Sequence, residues 1–439
     1  MKKFVFLGAG SFRFTTALAR DILSFPAFSD CEIALVDIDN ERLMNIKRAV
    51  DKIVVAGNYP CKVTATTERR EALEGADGVL STVLMGGIDV FRYDLEIPME
   101  YGVNINIGDT RGPSGIFRAL RTIPLMLEIC ADIEKYCPNA VFLNYTNPMA
   151  MLCRAMQGYT KVNVTGLCHS VQQTVALLAD WINADVNDMT YLCAGINHQA
   201  FYLDLKHKGK DAYPAVREAL SRKEIFEQEI VRNEIFLALD YYPTESSGHN
   251  SEYCAWFRKR PDIIERIQKG TGFNPGKYAY ILDEHKLFRE TYLEDIANWV
   301  KSDVDLNRGI EFASYIFNAL FGDGKIFEFN GNVRNFGLID NLPCGCCVEV
   351  PVIASKYGFK PAHVGKLPNQ LAALIHTNAM CEELAVEGGI EGDPKKIYQA
   401  ICFDPLTSAV LSLDEIRGMT NAMFEKNREW LPQFKHLNV

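Results

Sequence analysis

A cysteine and a histidine stand side by side in the stretch GLCHSVQ, residues 166–172, where an apolar run ends. Thirty residues after Cys168, the stretch CAGINHQAF offers Asn197 and His198. A thiolate, an imidazole and oxygen ligands from a sugar or water would suit a divalent transition ion. The residues alone leave three interpretations of Cys168 and His169 open: a nucleophile with its base, part of a metal site, or core packing.

A second group, in the stretch GAGS, has the composition of a dinucleotide-binding turn. Gly8 and Gly10 let the backbone turn tightly and approach a pyrophosphate, and Ser11 opens a helical pattern whose N-terminus would face that charge. Asp37 ends the second apolar run, where a carboxylate can bind an adenosine ribose and disfavours the 2′-phosphate of NADP. The pattern predicts NAD, although Arg13 replaces its third glycine.

Two further segments end later apolar runs, STVLMGG at residues 81–87 and NYTNPM at residues 144–149. We predict that Gly86 lies in a loop closing over the cofactor. We also predict that Asn147 supplies an amide to the nicotinamide or the substrate. For each segment taken alone, an ordinary turn is the alternative.

The elements that must position these residues alternate between apolar runs and helical patterns. Predicted strands are FVFLGAG, CEIALVDID, DGVLSTV, VNINIG, AVFLNYTN and VNVTGLC. This order predicts an α/β fold, a parallel Rossmann sheet of the lactate/malate dehydrogenase type with right-handed crossovers. Longer helices follow residue 195. We therefore predict an NAD-binding domain at 1–195 and a mixed α+β domain at 196–439 for substrate, metal and oligomerisation.

The totals exclude some classes of partner. A formal net charge of -10 on 439 residues leaves no excess of cations for nucleic acid or an anionic membrane. No apolar run is long enough for a membrane-spanning helix.

The opening MKKFVFLGAGSFRF reads as a strand rather than a signal peptide because its apolar run covers only residues 4–7, so we expect a cytoplasmic protein. The thirteen cysteines are expected to be reduced and mostly buried.

In order, and over most of its length, the chain resembles family 4 of the glycoside hydrolases, the NAD-dependent exception among glycosidases. The segments that carry the resemblance are GAGS, DID, IGDTRGPSGIFRALRTIP, LNYTNPMAM, GLCHSVQ, AGINHQAFYL, TESSGHNSEY and GNVRNFGLIDNLPCGCCVEVP. Within the family, C-H-S-V is the pattern of α-galactosidases, whereas phospho-sugar members carry C-D-M-P or C-N-[IV]-P and α-galacturonidases C-H-E-V. The resemblance therefore implies an α-galactosidase that acts on unphosphorylated α-galactosides such as melibiose.

The resemblance also implies a mechanism and its cofactors. NAD oxidises the sugar at C3, a base removes the C2 proton, the glycosidic oxygen leaves, water adds and the hydride returns. A divalent ion, Mn²⁺ or a substitute, is held by Cys168 and His198 and acts as a Lewis acid. Asp109 is implied near the metal and the C3 hydroxyl, and either Tyr253 or His249 as the C2 base.

The remaining roles implied by the resemblance concern the substrate and the assembly. His169 would donate toward the leaving oxygen or bind a sugar hydroxyl. The expected substrate-binding residues are Asn147, His169, Asn197, Arg334 and Asn335. Family members form dimers or tetramers, so a homodimer or homotetramer is expected.

Three alternatives remain open at this point. The chain could be a family 4 α-glucosidase or α-galacturonidase, an NAD-dependent 2-hydroxy-acid dehydrogenase of the same fold, or a sugar- or NAD-sensing regulator without activity. A hydroxy-acid dehydrogenase would consume NAD and would need no metal-binding cysteine. A regulator could lose Cys168 or His198, yet both are present.

Overall fold

Within residues 1–270 and 274–439, which the computed structural model describes, the chain forms a twelve-stranded sheet covered by helices. The strands are β1 Lys3–Leu7, β2 Glu32–Val36, β3 Lys62–Thr66, β4 Gly78–Ser81, β5 Val141–Asn144, β6 Asn163–Leu167, β7 Met189–Ile196, β8 Gln199–His207, β9 Lys210–Asp211, β10 Phe327–Arg334, β11 Cys347–Ser355 and β12 Gly358–Pro361.

Eighteen α-helices connect and cover these strands in the described ranges. They are α1 Phe12–Leu23, α2 Asn40–Ala56, α3 Arg69–Leu73, α4 Gly87–Glu100, α5 Gly112–Tyr136, α6 Met149–Tyr159, α7 Ser170–Trp181, α8 Tyr213–Ala219, α9 Lys223–Phe226, α10 Ile230–Leu239, α11 Ser247–Glu252, α12 Pro261–Ile267, α13 Tyr280–Lys301, α14 Phe312–Phe321, α15 Asn369–Glu391, α16 Pro394–Phe403, α17 Pro405–Val410 and α18 Leu413–Asn427. Short 3₁₀ helices lie at Pro26–Phe28, Val186–Asp188 and Arg428–Trp430.

The first six strands are parallel and run in the order β3-β2-β1-β4-β5-β6. This is the strand order of the dinucleotide-binding Rossmann fold. The central strand β1 shows why the sheet forms. Phe4 and Phe6 pack into the core on one face, and Val5 and Leu7 pack into the core on the other. The predicted α/β class is confirmed.

The second half of the chain extends the same sheet with antiparallel strands. β10 pairs with β6, β11 with β10, and β7 joins β11 through the pair Glu349 and Gly195. The β7–β8 hairpin, β9 and β12 complete it. The C-terminal half is thus the expected mixture of helices and strands. A domain boundary near residue 195 stays a prediction, since one sheet continues across it.

One predicted strand is not a strand, and one observed strand was not predicted. The segment VNINIG at residues 103–108 is not a strand, because the backbone N–H groups at residues 106, 107 and 108 donate to the Glu252 carboxylate instead of to a neighbouring strand. Conversely, β3 was not predicted. It is a partly exposed edge strand with few strongly apolar residues, so its sequence KVTAT gives little periodic signal.

The thirteen thiols are all free, and nine of them are buried, as expected. Among the helices in the described ranges, we find none with the length and apolar character that crossing a bilayer requires.

A buried ion pair joins the helices behind the parallel sheet. Arg121 in α5 donates to Asp94 in α4 over 2.9 Å, and both side chains are fully buried. Asn427, at the end of α18, accepts a further hydrogen bond from Arg121. Three helices therefore depend on one guanidinium.

We predict that Arg121→Ala lowers the free energy of unfolding by roughly 3–5 kcal/mol, because it leaves the Asp94 carboxylate buried without a counter-charge. Urea unfolding measures the change. Arg260→Ala is the matched control: its pair with Asp262 spans 2.9 Å with side chains 61% and 66% exposed. That control should cost less than about 1 kcal/mol. Equal losses of unfolding free energy in the two variants would contradict the stabilising role assigned to the buried pair of Arg121 and Asp94.

Candidate functional site

The carboxyl ends of five parallel strands meet at one edge of the sheet and present the predicted residues there. Gly8 follows β1, Asp37 follows β2, Gly86 follows β4, Asn147 follows β5 and Cys168 follows β6. In open α/β sheets this edge is where ligands bind. The parallel sheet therefore gathers residues that are far apart in sequence.

The glycine turn is shaped so that larger residues would not fit. Gly8 has φ +79°, and a Cβ there would lie 2.8 Å from the Thr82 carbonyl oxygen. A Cβ at Gly10 would lie 2.7 Å from Oδ2 of Asp37, which accepts a hydrogen bond from the Gly10 N–H at 2.7 Å. Ser11 precedes α1 without capping it through its side chain. The first turn of α1 can thus offer N–H groups to a phosphate.

The missing third glycine does not obstruct this turn. The Arg13 side chain is exposed and lies 5.9 Å from the Phe288 ring, on the outside of α1. Tyr292 in α13 donates its hydroxyl hydrogen to the Gly10 carbonyl at 3.2 Å, a contact that the sequence did not reveal. The residues present fit a dinucleotide with an unmodified adenosine ribose.

Three side chains form a cluster of metal-binding character beyond this turn. Sγ of Cys168 lies 3.1 Å from Nε2 of His198 and 4.0 Å from Oε2 of Glu245. The third distance, from His198 Nε2 to Glu245 Oε2, is 3.5 Å. One sulfur, one nitrogen and one oxygen donor on a common centre fit a divalent transition ion. Glu245 was not predicted, because its position depends on the folding of the second half of the chain.

A hydrogen-bond chain selects which nitrogen of His198 faces this centre. The Thr110 hydroxyl donates to Oδ1 of Asp109 at 2.7 Å, so its oxygen is left to accept from Nδ1–H of His198 at 2.9 Å. The lone pair on Nε2 is then directed toward Cys168 and Glu245. Such an outer partner fixes the tautomer and orientation of a metal-binding histidine. Thr110 is therefore a second residue that the sequence did not reveal.

The protonation states also suit a metal site. Burial lowers the pKa of His198 to about 4, so its imidazole is neutral at neutral pH. Burial raises the pKa of the Cys168 thiol, and the carboxylates of Glu245 and Glu349 add to that rise. A neutral imidazole binds an ion directly, whereas the thiol must release its proton on binding.

Asp109 and His249 form a charged pair beside the cluster. Oδ1 of Asp109 lies 3.5 Å from Nε2 of His249, and Oδ2 accepts from the Asn147 side chain at 3.0 Å. Burial alone would raise the pKa of Asp109, but His249 holds it far below the usual range. Burial alone would lower the pKa of His249, but Glu245 and Asp109 raise it to about 9. At neutral pH the pair is an ionised carboxylate and an imidazolium.

Tyr253 lies deeper, one turn beyond His249. Its ring centre is 6.2 Å from that of His249, and the Arg111 guanidinium lies 4.7 Å from it. The hydroxyl is buried and makes no hydrogen bond to the described residues. Burial raises its pKa well above the ordinary value. Arg111 is itself held by Glu382 at 2.9 Å.

His169 begins α7 on the opposite side of Cys168. Its Nδ1 lies 3.3 Å from Oε1 of Glu311, and its ring stacks on Phe14 with centres 6.4 Å apart. Burial alone would lower the pKa of His169, but Glu311 raises it above the usual value. Its half-exposed side chain borders the cluster without joining it. Cys168 and His169 are thus not a nucleophile and its base.

The predicted substrate-binding residues separate into two groups. Asn197 is fully buried next to His198, and neither polar atom of its side chain bonds to the described residues. Arg334 and Asn335, in contrast, are not brought to the cluster. Asn335 binds the backbone of residues 338–343, and Arg334 donates to the Gly345 carbonyl. Their hydrogen bonds hold the turn after β10, so their predicted role in substrate binding stays a prediction.

Two family models cover the chain. "Family 4 glycosyl hydrolase" matches residues 3–184, and "Family 4 glycosyl hydrolase C-terminal domain" matches residues 193–407. The chain is a family 4 glycosyl hydrolase. The resemblance inferred from the sequence is confirmed, and the hydroxy-acid dehydrogenase alternative is set aside.

Relatives of this family 4 glycosyl hydrolase cover its whole length. It is 37% identical to an "Alpha-galactosidase" of Rhizobium meliloti (strain 1021), over 99% of this chain and 90% of the relative. It is also 37% identical to an "Alpha-galactosidase" of Bacillus subtilis (strain 168), over 99% and 100%. A solved 6-phospho-alpha-glucosidase from gut microorganisms, in complex with NAD and Mn²⁺, has a TM-score of 0.81 at 20% identity, over 99% and 100%. This last likeness supports the fold.

Glu349 is a buried carboxyl group beneath the cluster. It lies in β11, is fully buried, and neither carboxyl oxygen bonds to the described residues. Burial raises its pKa from 4.5 to about 7, and the Glu245 carboxylate acts in the same direction. Between about pH 4.5 and 7, the Glu349 carboxyl group is therefore mostly protonated in the folded protein and mostly ionised in the unfolded chain.

We predict that Glu349→Gln becomes progressively more stable than the unaltered hydrolase as pH rises through this window. Because the folded-state pKa is raised, the native carboxyl contributes full stability below its unfolded pKa and loses it as pH rises toward the folded value. Urea unfolding at pH 5 and pH 8 should show a gain for the variant on the order of 2 kcal/mol at the higher pH. A pH-independent difference would show that Glu349 ionises normally.

Proposed function

We propose that this family 4 hydrolase cleaves unphosphorylated α-galactosides such as melibiose, with NAD and a divalent ion, Mn²⁺, bound. The observation that carries the proposal is the donor triangle of Cys168, His198 and Glu245 at the sheet edge that bears the glycine turn. The choice of sugar is supported by the two α-galactosidases that match the whole chain at 37% identity. An α-glucoside or an α-galacturonide is the second candidate.

The chemistry divides between the cofactors and the chain. When bound, NAD accepts and returns a hydride at C3 of the sugar, and the ion polarises the neighbouring sugar oxygens as a Lewis acid. Gly8, Gly10 and Ser11 hold the pyrophosphate, and Asp37 holds the adenosine ribose. Gly86 ends the short connection between β4 and α4, which we assign to covering the cofactor.

Asp109 and Asn147 organise the sugar hydroxyls. The Asn147 amide donates to Asp109, and its own oxygen makes no hydrogen bond to the described residues, so it can accept one from a sugar hydroxyl. Asp109 is ionised beside His249, so we assign it to accept a hydrogen bond from the C3 hydroxyl. The buried amide of Asn197 binds a further hydroxyl, because its polar atoms are otherwise unpaired.

Tyr253 is our first choice for the base at C2. His249 is the alternative, and its pKa of about 9 means that it must first lose a proton to act as that base. The Tyr253 hydroxyl is buried beside the cluster and makes no hydrogen bond to the described residues. The Arg111 guanidinium over its ring would stabilise a phenolate. We assign His169, which precedes α7, to donate toward the leaving oxygen, since Glu311 raises the pKa of its imidazole against the effect of burial.

The proposal extends to assembly and location. We assign residues 1–195 to cofactor binding and residues 196–439 to substrate, metal and oligomer contacts. Exposed apolar side chains at Ile326 and Phe336 support a homodimer or homotetramer, which light scattering tests. A metal-binding thiol at Cys168 needs reducing surroundings, which supports a cytoplasmic location.

The first test is hydrolysis of melibiose and 4-nitrophenyl α-galactoside with NAD, Mn²⁺ and a thiol, each omitted in turn. We expect galactose release only with all three present and no net NADH. Cys168→Ser should lower kcat/KM by more than about 100-fold, because loss of an outer-sphere partner alone costs 10–100-fold. Cys344→Ser, at an exposed thiol, is the matched control. Cleavage of a 6-phospho-galactoside but not its free parent would overturn the proposal.

The C2 base is identified by deuterium incorporation at C2 of galactose during turnover in D₂O. Tyr253→Phe should lower both the rate of deuterium incorporation and kcat by about 10²–10⁴-fold, the usual contribution of a positioned base. Tyr357→Phe removes an exposed hydroxyl and serves as the control. An unchanged rate of incorporation in Tyr253→Phe, together with a strongly lowered rate in His249→Gln, would identify His249 as the C2 base instead.

A further inference from the structure

A cavity of about 360 Å³ opens beside the cluster of Cys168, His198 and Glu245. Glu245 is part of both the cluster and the cavity wall, so the two are continuous. The cavity then extends along α7, away from Cys168. Its volume falls within the roughly 300–1,000 Å³ of small-molecule sites.

The order of the strands gives the direction of this cavity relative to the dinucleotide site. Asp37 at β2 marks the adenosine end, Gly8 at β1 the pyrophosphate, and Asn147 at β5 the nicotinamide end. Cys168 and α7 follow β6, the last parallel strand and three strand positions from β1. With about 4.8 Å between strands, α7 lies some 14 Å beyond the glycine turn. A sugar between Asn147 and Cys168 would point its far side toward the cavity.

The lining of the cavity suits a carbohydrate. Gln173, Thr174 and Leu177 lie on one face of α7, and Tyr280 faces them from the start of α13. The amide and hydroxyl groups can bind sugar hydroxyls, while Leu177 and the tyrosine ring offer apolar surface to the C–H faces of a sugar. Most of the lining side chains are polar, and Leu177 and Tyr280 add apolar and aromatic surface, a mixture that suits a ligand with both hydroxyl groups and C–H faces.

The charges of the lining favour a neutral occupant. Arg232 borders the cavity, but Glu229 neutralises it with contacts of 3.0 Å to both Nε and Nη2. Its Nη1 donates to Thr174 at 2.9 Å. Among the described residues that line the cavity, the Arg232 guanidinium is the cation that an anionic sugar could bind, and it is already committed to Glu229.

We infer that this cavity binds the leaving sugar, and that it takes a neutral hexose rather than a uronic acid or a phosphorylated sugar. The inference rests on the proposed function, because it places the galactosyl residue at the cluster. It adds a specificity site formed by α7, α10 and Tyr280.

The test compares two substrates that share the galactosyl group and differ in the leaving group. Leu177→Trp fills the cavity, so kcat/KM for melibiose relative to methyl α-galactoside should fall by about tenfold or more. Ala176→Trp, at the neighbouring exposed position outside the lining, is the matched control and should leave that ratio unchanged. Equal losses on both substrates in Leu177→Trp would overturn the inference and place the galactosyl group itself in the cavity.

Two further measurements do not depend on how α7 tolerates tryptophan. Gln173→Ala, at an exposed position, should raise the inhibition constant of glucose and leave that of galactose unchanged. In the unaltered enzyme, glucose should inhibit melibiose cleavage more strongly than glucuronate or glucose 6-phosphate does. Stronger inhibition by either anion would contradict the neutral character of the site.

Failure of the inference and failure of the proposed function give different results. If the proposed function is wrong, the unaltered protein cleaves neither melibiose nor methyl α-galactoside. If only the inference is wrong, the unaltered protein cleaves both and the substitutions in α7 leave their ratio unchanged.

Discussion

The site depends on one hydrogen-bond chain, from Asn147 through Asp109 and Thr110 to His198. This chain orients the imidazole of His198 with Nε2 toward Cys168. It can do so only if the segment at residues 103–108, before α5, has a fixed position. That segment pairs with no strand, so the Glu252 carboxylate binds three of its backbone N–H groups instead. The buried Glu252 carboxylate, from the second half of the chain, thereby positions His198, the proposed metal ligand, through a segment of the first half.

Charge balance and backbone strain follow from that arrangement. The imidazolium of His249 lies between Asp109 and Glu245, so two partly buried carboxylates share one cation. His198 and Glu245 both adopt left-handed backbone conformations, with φ of 61° and 66°. Such conformations cost of order 1–3 kcal/mol each and persist only where surrounding contacts enforce them. Both occur at the donor triangle, where the direction of each side chain matters most.

Local pattern was enough for part of this site. The turn at Gly8 and Gly10, and the cysteine that ends β6, lie at the ends of strands that periodicity predicts, and the sheet edge then gathers them. Thr110 and Glu245 carry no such signal, because their roles arise from contacts with residues distant in sequence. The same cause explains the mistaken strand at residues 103–108, whose apolar alternation resembles a strand while its N–H groups bind a remote carboxylate.

Three of the buried polar groups that lack hydrogen bonds lie close together. Among the described residues, the oxygen of Asn147, the amide of Asn197 and the hydroxyl of Tyr253 are buried without hydrogen bonds, and all three border the cluster. Each such group costs about 1–3 kcal/mol when it is buried unpaired. A ligand with several adjacent hydroxyl groups could satisfy all three at once, whereas an apolar ligand could satisfy none. These three groups support the proposal that a polyhydroxylated substrate binds beside the donor triangle.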